Sequence, residues 1–438
     1  MSQINTLSGP LGAGNAPSHD EELAPGDIAV GVVIGRASEY FDFFVFGIAS
    51  VLVFPAVFFP HLARLEGTLW SFAIFALAFI VRPVGSLLSM RIQQRWGRSV
   101  KLTAALFLLG CSTAGMALLP GYESWGSAAI TLLALCRVGQ GLALGGSWDG
   151  LPSLLALNAP EGKRGWYAML GQLGAPLGFL IACGLFAYLW SSLAPADFLS
   201  WGWRYPFFAA FAINVVALFA RLRLVVTHEY ERKLEEHELD PCDVGELFRT
   251  QGHNVFIGAF AALASYALFH LVTVFPLSWV SLYSPERLDD FLGMQVLGAL
   301  LAAAAMPVSG LIADRIGRRR TLGALAVAIG LFALAAPKLL GGSAAGQHSF
   351  IMVGFVLLGL SYGQSAGAVT GNFLPHLRYT GAALTADLAW LIGAAFAPLV
   401  ALGLSARHGL WAVSLYLLSA VACTLLALRT NRALQMKD

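Results

Sequence analysis

The chain has 438 residues, 57% hydrophobic and only 12% charged, against about 25% charged in an average soluble domain, which excludes a soluble globular protein. At about 20 apolar residues per crossing plus a loop, this length accommodates roughly twelve membrane helices, so a single anchored domain is excluded as well. The net charge of +2 is too small for a polyanionic partner, and nucleic-acid binding is set aside.

Residues 1–27 are polar and carry Asp20, Glu21, Glu22 and Asp27 without Lys or Arg. They lack the basic region of a signal peptide and are expected to form a disordered tail. Apolar blocks then fall at 28–56, 68–90, 100–120, 125–157, 164–190 and 203–225, and again at 254–282, 291–313, 319–340, 349–375, 380–404 and 409–428. The runs are too long and too rich in Leu, Ala and Gly for barrel strands, and open backbone hydrogen bonds are not tolerated in lipid, so these spans should be helices. The expected architecture is an all-α membrane protein: an N-terminal six-helix bundle (28–225), a charged linker (226–253), a C-terminal six-helix bundle (254–428) and a short tail (429–438).

The first span reads Gly35-Arg36-Ala37-Ser38-Glu39-Tyr40-Phe41-Asp42. Arg36, Glu39 and Asp42 fall three residues apart and cover about a 120° sector of a helix. Each unpaired charge near the bilayer centre costs roughly 2.5–3.5 kcal/mol on translocon scales, so the sector should face water or partners. One reading is an Arg36–carboxylate pair that only holds helices together. The other is a protonation site, in which moving a nearby arginine converts conformational change into proton uptake or release.

Span four holds Arg137-Val138-Gly139-Gln140-Gly141. No acid lies near Arg137 in sequence, so its counter-ion is expected from another helix, with Asp42 or Glu39 the obvious choice. The glycines here admit close helix packing, and Asp149 is either a pathway group or a cap. Span seven places Tyr266, His270 and Thr273 on one face ahead of Pro276, a face that could line a cavity. Ser361, Gln364, Ser365 and Asn372 in span ten, and Asp387 with Trp390 in span eleven, are weaker candidates of the same kind.

The loop text Gly310-Leu311-Ile312-Ala313-Asp314-Arg315-Ile316-Gly317-Arg318 combines glycines for close crossing with an acid able to cap a helix N-terminus and arginines able to bind carbonyls. It reads as a conformational latch. The first half echoes it at Arg95-Trp96-Gly97-Arg98, 220 residues earlier. Gly174-Ala175-Pro176-Leu177 and Phe396-Ala397-Pro398-Leu399 are displaced by 222, and Gln140 and Gln364 by 224. Near-equal offsets indicate duplication of a six-helix unit, the build of many secondary transporters. Of the 27 Lys and Arg, 19 fall on the side of the termini and five on the other, with Arg36, Arg82 and Arg137 inside spans. Both termini are therefore expected in the cytoplasm.

Cys111, Cys136, Cys183, Cys242 and Cys423 have no disulfide or metal spacing, and no nucleophile motif occurs, so no metal, cofactor or enzymatic activity is expected.

At the loop motif the chain resembles the major facilitator superfamily and, more narrowly, its metabolite:proton symporter family. The resemblance is carried by Gly310 to Arg320, the first span, Arg82-Pro83-Val84-Gly85, the Arg137 to Gly150 run, and Asn158 to Gly165 continuing to Gly174-Ala175-Pro176-Leu177. It implies twelve transmembrane helices in two pseudo-symmetric six-helix bundles, the major facilitator fold, in a bacterial inner membrane. It also implies a proton-coupling acid of span one paired with the span-four arginine, which maps onto Asp42 or Glu39 and Arg137. Four departures stand out: Gln94 where the first-half loop signature has Asp, Met90 where Gly is usual, Arg36 where Asn is usual, and Ser147 in span four where the family has Glu, the acid being displaced by two residues to Asp149.

The expectation is therefore a symporter that imports a small polar metabolite, a carboxylate, with protons by alternating access, functioning as a monomer in the bilayer. Arg36, Tyr40, Gln140, Gln172, Tyr266, His270 and Gln364 would bind substrate. Asp314, Arg315, Gly317, Arg318 and Arg98 would gate. The alternatives are a proton-linked exporter and a non-transporting sensor on the same fold.

Overall fold

In the computed structural model, which describes residues 25–147, 159–160, 162–225, 241–366 and 373–430, every regular element is helical. Twelve helical spans are present among the described residues. Those of the first half are span 1 (Pro25–Leu52), span 2 (Arg64–Trp96), span 3 (Arg98–Leu118), span 4 (Ser127–Gly146), span 5 (Arg164–Ser192) and span 6 (Arg204–Val225). The second half has span 7 (Val244–Tyr283), span 8 (Leu288–Ile316), span 9 (Arg318–Leu340), span 10 (Ala344–Tyr362), span 11 (Pro375–His408) and span 12 (Leu410–Thr430). Of the expected tails, residues 25–27 and 429–430 join the first and last helices, and the rest, with the linker up to residue 240, Asp149 and Asn372, lies outside the described residues.

The sequence echoes become contacts. Span 2 packs on 4, 1 on 5 and 3 on 6, and the second half repeats these pairs as 8 on 10, 7 on 11 and 9 on 12. Between halves, span 5 lies against 8 and span 11 against 2, the same contact by pseudo-symmetry. Spans 2 and 3 are joined at Gly97 (φ +84°) and spans 8 and 9 at Gly317 (φ +86°). Both tight turns need the left-handed backbone that glycine adopts without cost. An added Cβ at Gly97 would meet no atom within 4 Å, so Gly97 serves the turn and not a close crossing. Gly310 does provide the crossing: its Cβ would come within 3.0 Å of Trp166 Cα.

Some boundaries shift. Span 7 begins at Val244, inside the expected linker, and is broken at Gln251 by a non-helical backbone and again near Ala262 and Thr273. Its first turns pack on spans 11 and 12, which explains why a charged stretch can still be helical. The helix of span 10 ends at Tyr362, leaving Gln364 and Ser365 in a turn.

Candidate functional site

Three polar clusters collect the candidate residues. The first lies inside the N-terminal bundle. Asp42, 2% exposed, accepts from Thr113 Oγ1 of span 3 (2.9 and 2.8 Å to its two oxygens), Gln140 Nε2 of span 4 (3.1 Å) and Asn214 Nδ2 of span 6 (3.3 Å). Arg137, fully buried, donates from Nη1 to Gln140 Oε1 (2.8 Å) and from Nε to the Phe75 carbonyl (3.2 Å). Its guanidinium lies 4.1 Å from the ring centre of Phe46 and 4.8 Å from that of Phe75, a favourable position for a desolvated cation.

Of the two counter-ions expected for Arg137, Glu39 pairs with Arg36 instead, and Asp42 makes no direct pair with Arg137. Gln140 stands between them, its amide oxygen toward the cation and its amide nitrogen toward the carboxylate, which suits both charges while keeping them apart. Gln140 consequently belongs to this network and not to a substrate pocket between the bundles. Thr113 and Asn214 escaped the sequence reading. Their signal was that of isolated hydrogen-bonding side chains at the middle of apolar spans, which in lipid need a partner.

The second cluster sits where the halves meet. Arg36 Nη1 pairs with Glu39 Oε2 at 2.8 Å, and Ser147 Oγ of span 4 donates to Glu39 Oε1 at 2.7 Å. Arg36 stays partly exposed at 15%, whereas Asp42, about 120° further round the helix, turns into its own bundle. Tyr40 and Tyr362 share a short hydroxyl–hydroxyl hydrogen bond across the bundle interface. Around them lie Phe43, Phe79, Tyr266, Phe269, His270 and Trp390, with Phe79 and Trp390 stacked at 5.6 Å. His270 is fully buried, near Thr273 Oγ1 (3.5 Å) and edge-on to Phe75. It is packed among rings, as is Tyr266. In this conformation aromatic side chains contributed by both halves fill the centre.

The third cluster closes the end that carries the basic loops. Asp314 accepts from the backbone N–H of Gly165 (2.6 Å) and of Trp166 (3.2 Å), capping the start of span 5 from span 8. Arg318 Nη2 donates to the Arg164 carbonyl (3.2 Å). Gln364 Nε2 reaches the Gly165 carbonyl and Ser309 Oγ, both at 3.2 Å, so it joins this latch and does not reach the aromatic centre. Gln172 donates to Ser365 Oγ at 3.1 Å. Arg98 is buried at the start of span 3, while Arg315 is exposed. On the other side of the interface Arg82 Nε pairs with Asp387 Oδ1 at 2.8 Å, and Ser86 Oγ donates to Asp387 Oδ2 at 2.5 Å. The sequence named both charges without pairing them. The signal was available in the in-span bases Arg36, Arg82 and Arg137 and the in-span acids Glu39, Asp42, Asp149 and Asp387, which need partners at membrane depth.

Comparison with known proteins is consistent with this geometry. Residues 28–238 match the sugar (and other) transporter family. The inner membrane metabolite transport protein YhjE of Escherichia coli K12 is 37% identical over 420 residues, 94% of this chain and 96% of the relative. The shikimate transporter of the same strain is 29% identical over 423 residues, covering 94% of each. Among solved structures, a D-xylose–proton symporter aligns with a TM-score of 0.67 at 18% identity, over 91% of this chain and 97% of the other, a likeness of fold alone.

Proposed function

This chain belongs to the major facilitator superfamily, as a multi-pass membrane metabolite transporter and not an enzyme, and on that premise we propose that it is a proton-coupled symporter importing a small carboxylate. The observation that carries this reading is the buried Asp42–Gln140–Arg137 relay: a carboxylate held at membrane depth by neutral donors, with a cation one amide away, is suited to exchange a proton as the surroundings change. The two bundles rock about the aromatic centre, exposing it to each side in turn. The basic end faces the cytoplasm, as the retention of Lys and Arg requires, in a bacterial inner membrane. Glu39 is the second candidate acid.

Arg36 supplies the partly exposed cation at the bundle interface and would hold the carboxylate by paired hydrogen bonds. The rings around Tyr40 and Trp390 offer a substrate mainly ring faces, with the Tyr40 and Tyr362 hydroxyls among them, which favours a compact carboxylate whose body has an apolar or ring face. The relatives' range, a shikimate transporter and a proline/betaine transporter among them, agrees with one anionic group on a compact body. Replacing Arg36 by Gln is expected to raise KM at least about tenfold, equivalent to about 1.4 kcal/mol, and to lower thermal stability as well, since the buried Glu39 loses its cation. Equal KM values for the two proteins would remove Arg36 from the site.

The test of the function is a thermal-shift screen of the purified protein against carboxylates, amino acids and betaines over a range of pH. Flux measurements in proteoliposomes follow with whichever compound stabilises it. Accumulation driven by an inward proton gradient, and abolished by a protonophore, is the expected result. Uptake indifferent to the gradient would reject proton coupling.

A further inference from the structure

Asp42 takes all its hydrogen bonds from spans 3, 4 and 6, and Arg137 binds within spans 2 and 4. Both networks lie wholly inside the N-terminal bundle. A rigid-body rotation of one bundle against the other leaves them intact, so they do not by themselves report or resist that motion. The Arg82–Asp387 pair differs. Arg82 belongs to span 2 of the first bundle and Asp387 to span 11 of the second, with side chains 11% and 3% exposed. It must break when spans 2 and 11 part.

Its setting is a seam of three rungs. On span 2, Phe79, Arg82, Ser86 and Gln93 follow one helix face; on span 11, Trp390, Asp387 and Tyr379 follow another. Phe79 stacks on Trp390, Arg82 and Ser86 hold Asp387, and Tyr379 is held by Gln93 (3.2 Å) and by Lys101 of span 3 (2.9 Å). By pseudo-symmetry this seam corresponds to that of spans 5 and 8, which Asp314 closes at the loop. Here the loop residue is Gln94, and its Nε2 donates instead to the Pro241 carbonyl ahead of span 7 (3.2 Å). The seam therefore has no loop acid. Its charge-assisted link lies twelve residues earlier on span 2, about 18 Å deeper along the helix.

We propose that the Arg82–Asp387 pair, seated on Ser86, is the gate of the basic end, taking at the interface of spans 2 and 11 the part that Asp314 plays between spans 5 and 8. Glycine contacts tie Arg82 to span 4: a Cβ at Gly145 would lie 2.3 Å from the Arg82 carbonyl. Opening the gate thus moves spans 2 and 4 as a block carrying Arg137 and Gln140, and the state of the Asp42 relay and the closure of the basic end share one rigid element. Arg82 and Asp387 are positioning residues in this scheme. The inference rests on the alternating-access reading but not on the identity of the substrate.

Hydrogen–deuterium exchange on the full-length protein in lipid nanodiscs tests it without any ligand. Asp387→Asn and Arg82→Gln should each speed exchange of residues 83–96 and 378–389 at least about fivefold while slowing residues 54–70 and 277–288 at the opposite end. The double variant should open no further than either single one. Arg82→Lys, which keeps the charge, should stay within about twofold of the parent and covers the case in which a neutral variant fails to fold. Asp314→Asn should open the basic end less than Asp387→Asn does. Faster exchange at both ends together would mean general loosening and would overturn the gate, as would an Asp387→Asn protein that exchanges like the parent. A shifted gate in a protein that transports no carboxylate would uphold this inference while rejecting the proposed substrate.

Discussion

Proteoliposomes bearing Asp42→Asn are expected to lose uphill substrate accumulation while retaining exchange of internal for external substrate. Each unit of imposed pH difference is worth about 1.36 kcal/mol per proton, about a tenfold concentration ratio. With a two-unit gradient and one coupled proton, the parent should reach a ratio of about a hundred and the variant about one. The geometry says why exchange should survive. Asn has nearly the size of Asp, and the Thr113 hydroxyl can rotate to accept from the new amide group. Gln140 Nε2 and Asn214 Nδ2 approach different oxygens of Asp42, so one of them will face an NH2 and lose its acceptor. Leaving one buried amide donor without an acceptor costs about 1–3 kcal/mol, enough to slow exchange but not to unfold a bundle. Unchanged uphill uptake would transfer the proton to another acid, Glu39 first, since Ser147 and Arg36 hold it at the interface.

The sequence was informative about topology because its signals are one-dimensional. Hydrophobic runs, the glycine turns at 97 and 317, and the equal offsets between halves are readable along the chain, and the span-8 loop carried its own latch chemistry in Asp314. Pairing across helices is a different kind of fact. For Arg137 the expected counter-ion is Asp42 or Glu39, since no acid lies near it in the chain, but Glu39 pairs with Arg36 and a glutamine three residues along its own helix intercepts the contact with Asp42. Gln364 is expected from the sequence to line a cavity with Ser361 and Ser365, yet the end of the span-10 helix at Tyr362 swings it toward Ser309 and Gly165. Arg82 and Asp387 are 305 residues apart in the chain, and only the packing of span 2 on span 11 brings them together. The face carrying Tyr266 and His270 was read correctly as a face, but it meets other rings, since hydrophobicity does not distinguish a lining from a filling.

The close approach of spans 2 and 4 offers the largest stability effect. A Cβ at Gly145 would stand 2.3 Å from the Arg82 carbonyl oxygen and 2.5 Å from the Ser86 nitrogen; one at Gly85 would stand 2.3 Å from the Leu142 carbonyl, and one at Gly141 2.4 Å from that of Ala78. These are backbone atoms, so no rotamer change relieves the overlap and the helices must move apart. The second half repeats the arrangement where Gly359 faces the Ala302 carbonyl at 2.4 Å. In lipid, helix association depends on such contact and not on expelling water, and overpacking by a single methyl costs about 1–3 kcal/mol. Gly145→Ala should therefore lower the Tm of the purified protein by on the order of 5 °C, and transport should fall further than stability does, because the displaced turn bears Arg82 and Ser86 and hence the contact with Asp387. Gly184→Ala is the matched control: nothing lies within 4 Å of its Cβ, and it should melt and transport like the parent. Equal Tm values for the two alanine variants would mean that spans 2 and 4 are not in backbone contact, and the rigid block that links Arg137 to the basic-end gate would not exist.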